Sequence, residues 1–338
     1  DPHAWDAPLT KGHDMPTPPD PPAPTRHLHR AVVPLIVLMT GLACLAGLGA
    51  GLVPQLDLLV HFQVQYAWVL TGCLLWLLAT RRWAWAIAAA VVLLVPVLRI
   101  APWYLDPSPP PAPGQATIEL LAGNVQFTNE QYGEFIELVE ATDADIVIVQ
   151  EATDAWARAL SGLADRWPHQ LLHPAAGPRG MLLLSRIPLS DTDVVLHPVT
   201  SHCILIATVE VGGRPMRILA AHPFRPGLRY GSRQLADELR QLSGLAGDDT
   251  GDVVVIGDLN TTMWSDTYTT FVQGLGLTNL RRGVGILPSW SRVVPWLSAI
   301  PIDHCLIGDD LQGFEFGLLP IPGSDHDAIR AVVGVTAE

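Results

Sequence analysis

The sequence predicts a mixed α/β domain that follows a membrane-spanning region, and two observations support this. From Thr117 onward, short apolar stretches typical of buried strands alternate with amphipathic stretches typical of helices. Before Thr117, the apolar residues are concentrated in three long segments that are almost free of charge. The many strands exclude a helical bundle, and 338 residues suffice for one large domain or two smaller ones.

The first 103 residues divide into a tail and a membrane anchor. Residues 1–30 are rich in Pro, Asp, His and Thr without apolar periodicity, which predicts a disordered tail. Residues 31–103 are predicted to form three transmembrane helices, each long enough at about 1.5 Å per residue to cross a hydrocarbon core of roughly 30 Å. The predicted spans are Ala31–Val53, Leu58–Thr80 and Trp83–Trp103. Three such segments in succession disfavour the alternative, a buried hairpin in a soluble domain.

The charges that flank these spans predict their orientation. Arg26 and Arg30 precede the first span, and Arg81 and Arg82 lie between the second and third. The short loop between the first and second spans contains Asp57 and no Lys or Arg. Because basic residues are retained on the cytoplasmic side, we expect a multi-pass protein of the cell membrane with a cytoplasmic N-terminus and an extracytoplasmic C-terminal domain.

A proline-rich linker at residues 104–116 separates the anchor from a domain at residues 117–338. Its composition favours an extended, semi-rigid spacer. The predicted strands of the domain are Thr117–Asn124, Asp145–Gln150, Gly180–Ser185, Ile204–Val211, Met216–Ala221, Val253–Ile256, Ile302–Ile307 and Ala328–Val335. The predicted helices are Glu130–Glu140, Tyr230–Ala246 and Ser265–Gln273.

One stretch of the domain combines a buried strand with polar chemistry. Val253–Ile256 consists of four consecutive β-branched residues, a pattern typical of a strand buried on both faces. Gly257 follows and lets the backbone turn. Asp258 and Asn260 come next, and because positions i and i+2 of an extended segment point the same way, their side chains project together. The pair suits chemistry on a phosphate or a metal-bound water, although Asp and Asn are also common in turns.

Charge and cysteine content restrict the function. From Thr117 onward, 14 arginines stand against 27 acidic residues, a net charge of −13, so we expect no avid binding of duplex DNA. The four cysteines, Cys44, Cys73, Cys203 and Cys305, show no metal-binding spacing. Cys203 and Cys305 would form a disulfide only if their strands were neighbours, and buried free thiols are the preferred interpretation.

Several strands end at a polar residue that could reach a shared site. Asn124, Glu151 and His222 each follow a predicted strand, as Asp258 and Asn260 do. Carboxylates together with an Asn suit a hard divalent ion such as Mg²⁺ or Mn²⁺. The sequence lacks a Walker loop, a Gly-x-Ser-x-Gly elbow, His-Glu-x-x-His and Cys-x-x-Cys. Metal-assisted attack of water on a phosphorus ester remains.

These motifs in this order resemble the endonuclease/exonuclease/phosphatase superfamily, which includes deoxyribonuclease I. The resemblance rests on Asn124, Gln150-Glu151, Gly180–Pro188, Gly257-Asp258-x-Asn260, Ile302-Asp303-His304 and Ser324-Asp325-His326, and covers Thr117 to Val335. It implies a four-layer αββα sandwich of two packed mixed sheets. Pro288-Ser289-Trp290 and the three N-terminal spans resemble a bacterial membrane-anchored branch of this superfamily.

The resemblance also implies a role for each matching residue. Glu151, with Asn124 and Asp325, would hold a Mg²⁺ or Mn²⁺ ion against the scissile phosphate. Among the catalytic residues, Asp258 would orient or deprotonate the attacking water, and Asn260 would hydrogen-bond a phosphate oxygen. His326, supported by Asp303, would stabilise charge on the phosphoryl group, and His222 would contact the phosphate or assist the leaving group.

We therefore expect a membrane-anchored, divalent-metal-dependent phosphoesterase that acts on a phosphate ester outside the cytoplasm. The substrate is left open between a lipid headgroup or small phosphodiester and a nucleic acid, with the spacer's shortness favouring the former. The alternative is a non-catalytic membrane-anchored module that binds a ligand or partner. The oligomeric state stays open.

Overall fold

A computed structural model describes residues 25–51, 53–227, 230–291 and 295–336. The predicted tail lies outside the described residues as far as position 24. The helices are α1 (Thr25–Gly47), α2 (Gln63–Ala79), α3 (Trp83–Ile100), α4 (Tyr132–Thr142), α5 (Asp154–Leu160), α6 (Gly231–Ala246), α7 (Asp266–Gly274) and α8 (Pro295–Ser298). Three 3₁₀ segments cover Pro54–Phe62, Ala101–Tyr104 and Ser161–Leu163.

Twelve described strands form two six-stranded mixed sheets. They are β1 (Thr117–Asn124), β2 (Ile146–Gln150), β3 (His169–His173), β4 (Met181–Ser185), β5 (Ser190–Leu196), β6 (Cys203–Val211), β7 (Arg214–Ala221), β8 (Val253–Asp258), β9 (Thr278–Asn279), β10 (Asp303–Ile307), β11 (Leu311–Pro320) and β12 (Asp327–Val335). The first sheet has the order β11-β12-β1-β2-β4-β3, and the second has the order β5-β6-β7-β8-β10-β9. Among the pairs formed by these described strands, only β1–β2 and β7–β8 are parallel.

The predicted four-layer sandwich is confirmed. The two sheets pack face to face around one apolar core, to which Ile148 of β2 and Ile256 of β8 belong. On the outer face of the first sheet, α4 and α5 bury Phe135 and Trp156. On the outer face of the second sheet, α6 and α7 pack with a separate cluster that includes Leu239. Each sheet is thus covered on both faces, as its apolar strands require.

Strand β8 shows why a run of four β-branched residues is needed at the centre of the fold. Val254 and Ile256 point into the core between the sheets. Val253 and Val255 point toward α6 and α7. All four side chains are fully buried because the strand has an apolar layer on each side.

The strands that the sequence analysis missed are β3, β5, β9 and β11. All four lie at sheet edges, and β9 has only two residues. Edge strands face solvent, so their sequences carry polar residues, as Ser-Asp-Thr-Asp in β5 does, and the apolar signal is lost. In β11 a bulge between Gly313 and Glu315 also interrupts the alternation.

Cys203 and Cys305 are buried free thiols, as the sequence analysis preferred. Cys203 lies in β6 and Cys305 in β10, and β7 and β8 lie between these strands. At about 4.8 Å per strand, that spacing places the two cysteines roughly 14 Å apart, well beyond the reach of a disulfide.

The N-terminal anchor differs from the prediction of three full-length spans. Two described helical segments are long and apolar enough to cross a membrane, Gln55–Ala79 and Trp83–Tyr104. The first helix contributes a shorter apolar stretch, Ala31–Gly47, and ends six residues before the predicted boundary at Val53. Gly47, the last residue of the helix, lies close to the Val60 side chain, because a Cβ at position 47 would be 2.7 Å from Cγ1 of Val60. At its other end, α1 begins at Thr25, inside the predicted tail.

The linker lies against the domain at both of its ends. Near its beginning, the backbone of Asp106 and Pro107 packs closely against Gly283, whose N–H donates to the carbonyl of Trp103 at 3.0 Å. Near its end, the Gln115 side chain donates to the Val335 carbonyl at 2.9 Å. The anchor is therefore held close to the domain.

Candidate active site

The polar residues singled out in the sequence converge at one edge of the sandwich. Asn124, His222 and Asp258 end or directly follow β1, β7 and β8. Strand β10 runs antiparallel to β8 and β12 runs antiparallel to β1, so the beginnings of β10 and β12 lie at the same edge. This pairing places Asp303 directly opposite Asp258. The sheet order thus explains why residues far apart in sequence meet.

Glu151 leaves β2 in a strained conformation that directs its carboxylate toward Asn124. Its φ of +59° lies in the left-handed region, which is uncommon for a residue with a side chain. The Glu151 carboxylate accepts hydrogen bonds from the Asn124 amide at 3.0 Å and from the Phe127 backbone N–H at 3.0 Å. Strain of this kind persists where surrounding contacts fix it, and it is concentrated at functional sites.

Asp258 occupies the centre of the cluster. Its carboxylate accepts from the Asn124 amide at 3.2 Å and from the Asn260 backbone N–H at 2.8 Å. Its Oδ2 lies 3.4 Å from Nε2 of His222 and 3.6 Å from Nε2 of His326. Burial alone would raise the pKa of Asp258, but the charges of the two histidines hold it at about 2. Asp258 is therefore an anion at neutral pH.

Gln150 fixes the two sheets to each other beneath Asp258. The side chain crosses from β2 and donates to the Ala221 carbonyl at 2.7 Å. It also accepts from the Asp258 backbone N–H at 3.1 Å. Gln150 is fully buried, and the sequence analysis gave it no role of its own. A carboxamide at the end of an otherwise apolar strand was the available signal, because a buried amide needs specific partners.

His326 and Asp303 form a buried ion pair behind the site. Nδ1 of His326 lies 3.0 Å from a carboxylate oxygen of Asp303. Burial would lower the pKa of His326, but the charges of Asp303 and Asp258 outweigh it and raise the pKa to about 10. The Ser289 hydroxyl accepts from the backbone N–H of Asp303 at 3.1 Å and so fixes the start of β10. His326 is held as a cation beside Asp258.

His222 is the second histidine beside Asp258. Burial would lower its pKa, but its contact with Asp258 and the charge of Glu151, whose carboxylate lies 3.9 Å away, raise it. Its Nδ1 is buried and has no hydrogen-bond partner among the described residues. The ring of His202 lies 5.8 Å from that of His222, and Glu238 accepts from His202 at 3.2 Å. The sequence gave no signal for His202 and Glu238, which come from a loop and from α6.

Asn260 and Asp325 occupy two further positions around the site. Asn260 adopts a φ of +52°, and its amide donates to the Pro223 carbonyl at 3.0 Å, which orients the side chain. The Asp325 carboxylate accepts from the indole N–H of Trp290 at 3.0 Å. This contact with Trp290 connects Asp325 to the Pro288-Ser289-Trp290 element.

A cavity of about 780 Å³ lies over this cluster. The predicted site residues that line it are Glu151, His222, Asp258, Asn260, Asp325 and His326. Asn124 and Asp303 are not among the lining residues and act from behind, through their contacts with Asp258 and His326. His61, from the 3₁₀ segment between α1 and α2, also lines the cavity. His61 is not among the predicted site residues, because it falls inside the predicted span Leu58–Thr80.

A model of the Endonuclease/Exonuclease/phosphatase family matches residues 121–326. The chain belongs to this family. The matched region contains every predicted site residue and excludes the predicted membrane anchor at residues 31–103. The family assignment supports hydrolysis of phosphate esters, with a divalent metal, as the general activity of the endonuclease/exonuclease/phosphatase domain.

Solved structures share the fold of this domain at low sequence identity. A humanised D. rerio TDP2 has a TM-score of 0.54 and 16% identity over 65% of this chain and 99% of that chain. An endonuclease/exonuclease/phosphatase from Beutenbergia cavernae gives 0.55 and 17% over 66% and 72%. The human Nocturnin catalytic domain with bound sulfate gives 0.53 and 17% over 70% and 99%. A comparison with curated protein sequences gave no match.

The oxygen atoms of the site fit a hard divalent cation. In the endonuclease/exonuclease/phosphatase domain, carboxylates of Glu151 and Asp258 share the Asn124 amide N–H₂ group between them. The Asn124 oxygen accepts from the Gln126 backbone N–H, so Asn124 would ligate a cation only after its amide rotates. Among the described residues, a second set of side chains could also hold a metal ion. It consists of Asp258, Asp303 and His326, whose ligand atoms lie within 4.8 Å of one another.

Proposed function

We propose that this protein is a membrane-anchored phosphodiesterase that requires a divalent metal ion and acts outside the cytoplasm. The observation that carries the proposal is the meeting of Glu151, Asp258 and two histidines in the wall of one cavity. An anion that lies beside two imidazoles, whose pKa values it raises, and beside a second carboxylate matches what phosphoester hydrolysis needs, an oriented water and a stabilised phosphoryl charge.

We assign the same metal ligands that the resemblance in the sequence implies. Glu151, Asn124 and Asp325 would hold Mg²⁺ or Mn²⁺, whose charge would neutralise the phosphate oxygens and favour attack by water. Two features support Glu151 as the principal ligand: its carboxylate lines the cavity, and its backbone strain fixes its direction. Asp303 is the least suited of the acidic residues, because its carboxylate is already paired with His326.

The remaining side chains would act directly on water and phosphate. Asp258 is ionised and accepts a hydrogen bond from the attacking water, which it thereby orients. His326 donates from Nε2 to a phosphoryl oxygen as negative charge develops, and Asp303 keeps it protonated. His222, whose Nε2 lies 3.4 Å from Oδ2 of Asp258, would donate a proton to the leaving oxygen as its bond to phosphorus breaks. Asn260 donates to a second phosphate oxygen.

The anchor supports an extracytoplasmic location. Asp57, between the first two apolar segments, and Trp103, at the end of the third, both contact the domain. The Arg81-Arg82 turn lies at the opposite end of α2 and α3. If those arginines stay in the cytoplasm, as the positive-inside rule requires, the domain is outside.

The cavity favours a small phosphodiester over duplex DNA. Arg225 is the only Lys or Arg among the described residues that line it. A net charge of −13 over the chain also opposes a polyanion. A volume of about 780 Å³ lies within the range of sites for small ligands.

The test is hydrolysis of bis(p-nitrophenyl) phosphate by the full chain in detergent. We expect turnover with Mg²⁺ or Mn²⁺, none with excess EDTA, and a loss of roughly 100-fold or more for Glu151→Gln, which removes a charge from the metal site. Asp145→Asn, outside the cavity, is the matched control. If Glu151→Gln retained full metal-dependent turnover, the site assignment would be wrong. If the wild type bound Mg²⁺ without turnover of any phosphodiester, the non-catalytic binding module would be favoured.

A further inference from the structure

The 3₁₀ segment Pro54–Phe62, which leads from α1 into α2, is built into the domain. The Asp57 carboxylate accepts from the Ser265 hydroxyl at 2.5 Å and from the Asp266 backbone N–H at 3.0 Å, at the N-terminus of α7. Val60 is 1% exposed and packs with the apolar cluster beneath α6. A polar anchor point and an apolar one therefore hold the same nine-residue segment.

His61 is the residue of this segment that reaches the active-site cavity. Its Nδ1 lies 2.9 Å from the hydroxyl of Thr262, two residues after Asn260. That contact leaves Nε2 as the ring nitrogen available to a molecule in the cavity that His61 lines. Ile300 lies in the same wall, and its neighbour Ala299 accepts from the Gln65 side chain of α2 at 2.8 Å. One wall of the cavity is thus made by the entrance to a membrane helix.

The position of His61 along the chain sets the depth of the cavity relative to the bilayer. At about 1.5 Å per residue, His61 lies about 3 Å from the first residue of α2 and about 10 Å from Trp68, which is 72% exposed. Exposed tryptophans of this kind lie at the membrane interface. The headgroup layer adds roughly 5–8 Å to each side of the hydrocarbon core. With Trp68 at the interface, the cavity wall at His61 therefore lies at the outer limit of the headgroup layer.

The rim of the cavity suits that environment. Phe127 and Tyr230 line it and are 41% and 71% exposed, large values for aromatic side chains beside a polar site. Aromatic side chains are stable where an apolar phase meets water. A lipid of the surrounding leaflet could thus present its phosphate to Asp258 and His326 while its acyl chains stay in the bilayer.

We propose that the substrate is a lipid phosphodiester of the bilayer in which the protein is anchored, and that His61 binds its headgroup. The anchor then supplies a binding residue of the active site as well as the tether. This proposal rests on the proposed phosphodiesterase function, and it adds the substrate class and a residue that contacts it.

The test uses the full chain in proteoliposomes of deuterated phosphatidylethanolamine, phosphatidylglycerol and phosphatidylcholine, mixed with protein-free vesicles of the same undeuterated lipids. Mass spectrometry after addition of Mg²⁺ or Mn²⁺ separates products of the protein's own membrane from products of the other vesicles. We expect deuterated products. Equal yields of deuterated and undeuterated products would overturn the proposal. Hydrolysis of bis(p-nitrophenyl) phosphate without any lipid product would also overturn it. Neither result would contradict the phosphodiesterase function. Failure on every substrate would overturn the proposed function itself.

The role of His61 is tested by the ratio of lipid turnover to bis(p-nitrophenyl) phosphate turnover, which is insensitive to the amount of folded protein. We expect His61→Ala to lower this ratio about tenfold, equivalent to about 1.4 kcal/mol of binding, through a higher KM for lipid. His61→Gln retains an N–H donor and should recover part of the loss. His197→Ala removes another buried histidine that contacts a threonine hydroxyl, at 3.1 Å, and should leave the ratio unchanged. An unchanged ratio for both His61 variants would contradict the assignment.

Discussion

At the scale of single residues, Gly257 controls where the Asp258 carboxylate lies. Its φ of +137° is accessible only to glycine, and a Cβ there would overlap the Gln150 amide and the Ala221 carbonyl. These are the two groups whose hydrogen bond fixes the sheets to each other next to the site. Any side chain at position 257 must therefore displace either the backbone of β8 or Gln150.

We predict that Gly257→Ala destabilises the domain by about 2–4 kcal/mol and removes most of the activity. Thermal unfolding in detergent and turnover of bis(p-nitrophenyl) phosphate measure the two effects. Gly244→Ala is the matched control, because none of the described residues lies within 4 Å of a Cβ at that position in α6, and alanine should stabilise the helix by up to about 1 kcal/mol. A Gly257→Ala variant as stable and active as the wild type would contradict this account of the turn.

The residues that touch the cavity could be predicted from sequence more readily than those that hold them in place. Asp258 and His222 lie at or directly after the ends of apolar strands, and a polar residue at the end of an apolar run can be recognised from the sequence alone. Arg281 is fully buried and donates to the carbonyls of Ile286 at 2.6 Å and Asp303 at 2.7 Å. The partners of Arg281 depend on which loop folds over β10, and the periodicity of the sequence does not predict how that loop folds.

At the scale of elements, the N-terminus of α7 is capped by Ser265 of the domain and, in addition, by Asp57 of the 3₁₀ segment. Ser265 accepts from the backbone N–H of Thr267 and Tyr268, and Asp57 of the 3₁₀ segment adds a carboxylate at the positive end of the helix. A carboxylate at a helix N-terminus is favourable because it offsets the dipole and satisfies a free N–H. In the sequence, Asp57 marks only a loop without Lys or Arg, which predicts the non-cytoplasmic side of the membrane.

We predict that Asp57→Asn loosens the anchor from the domain. The carboxylate would be replaced by a neutral group at a buried site, which should cost about 1–2 kcal/mol and increase hydrogen exchange at the start of α7. Asp266→Asn is the control, because the Asp266 side chain is exposed in the same helical turn. Equal effects of the two substitutions would mean that the helix dipole alone, and not the contact with the anchor, accounts for the loss.

Central elements could be predicted and edge elements could not, for a physical reason. Each residue of β8 is buried, so its sequence is restricted to β-branched residues until Gly257. In β5 only one face meets the core, and four exposed residues at its start could belong to a loop. The anchor shows the same limit, because apolar residues signal a span but do not show that α1 ends at Gly47.

At the scale of the whole molecule, the contacts between anchor and domain restrict the topology of the chain. Near the start of α2, Asp57 and Gln65 contact the domain. At the end of α3, the Arg99 carbonyl accepts from the Trp264 indole N–H. The Trp103 carbonyl accepts from the Gly283 backbone N–H. Both helices therefore meet the domain at the same end, which in the proposed topology is one membrane face. The α2–α3 turn must lie at the other face, and its two arginines predict that this face is cytoplasmic.

This arrangement predicts which positions a membrane-impermeant maleimide reaches in intact cells. In a cysteine-free background, Asp248→Cys, in an exposed loop of the domain, should be labelled without permeabilisation. Thr80→Cys, exposed at the end of α2, should be labelled only after permeabilisation, because it lies on the side of the arginine pair. The four native cysteines are buried, so their replacement by Ala or Ser removes background with limited change to the surface. Labelling of both positions in intact cells would exclude a membrane barrier between them, and the reversed pattern would place the catalytic cavity and any lipid it cleaves in the cytoplasmic leaflet.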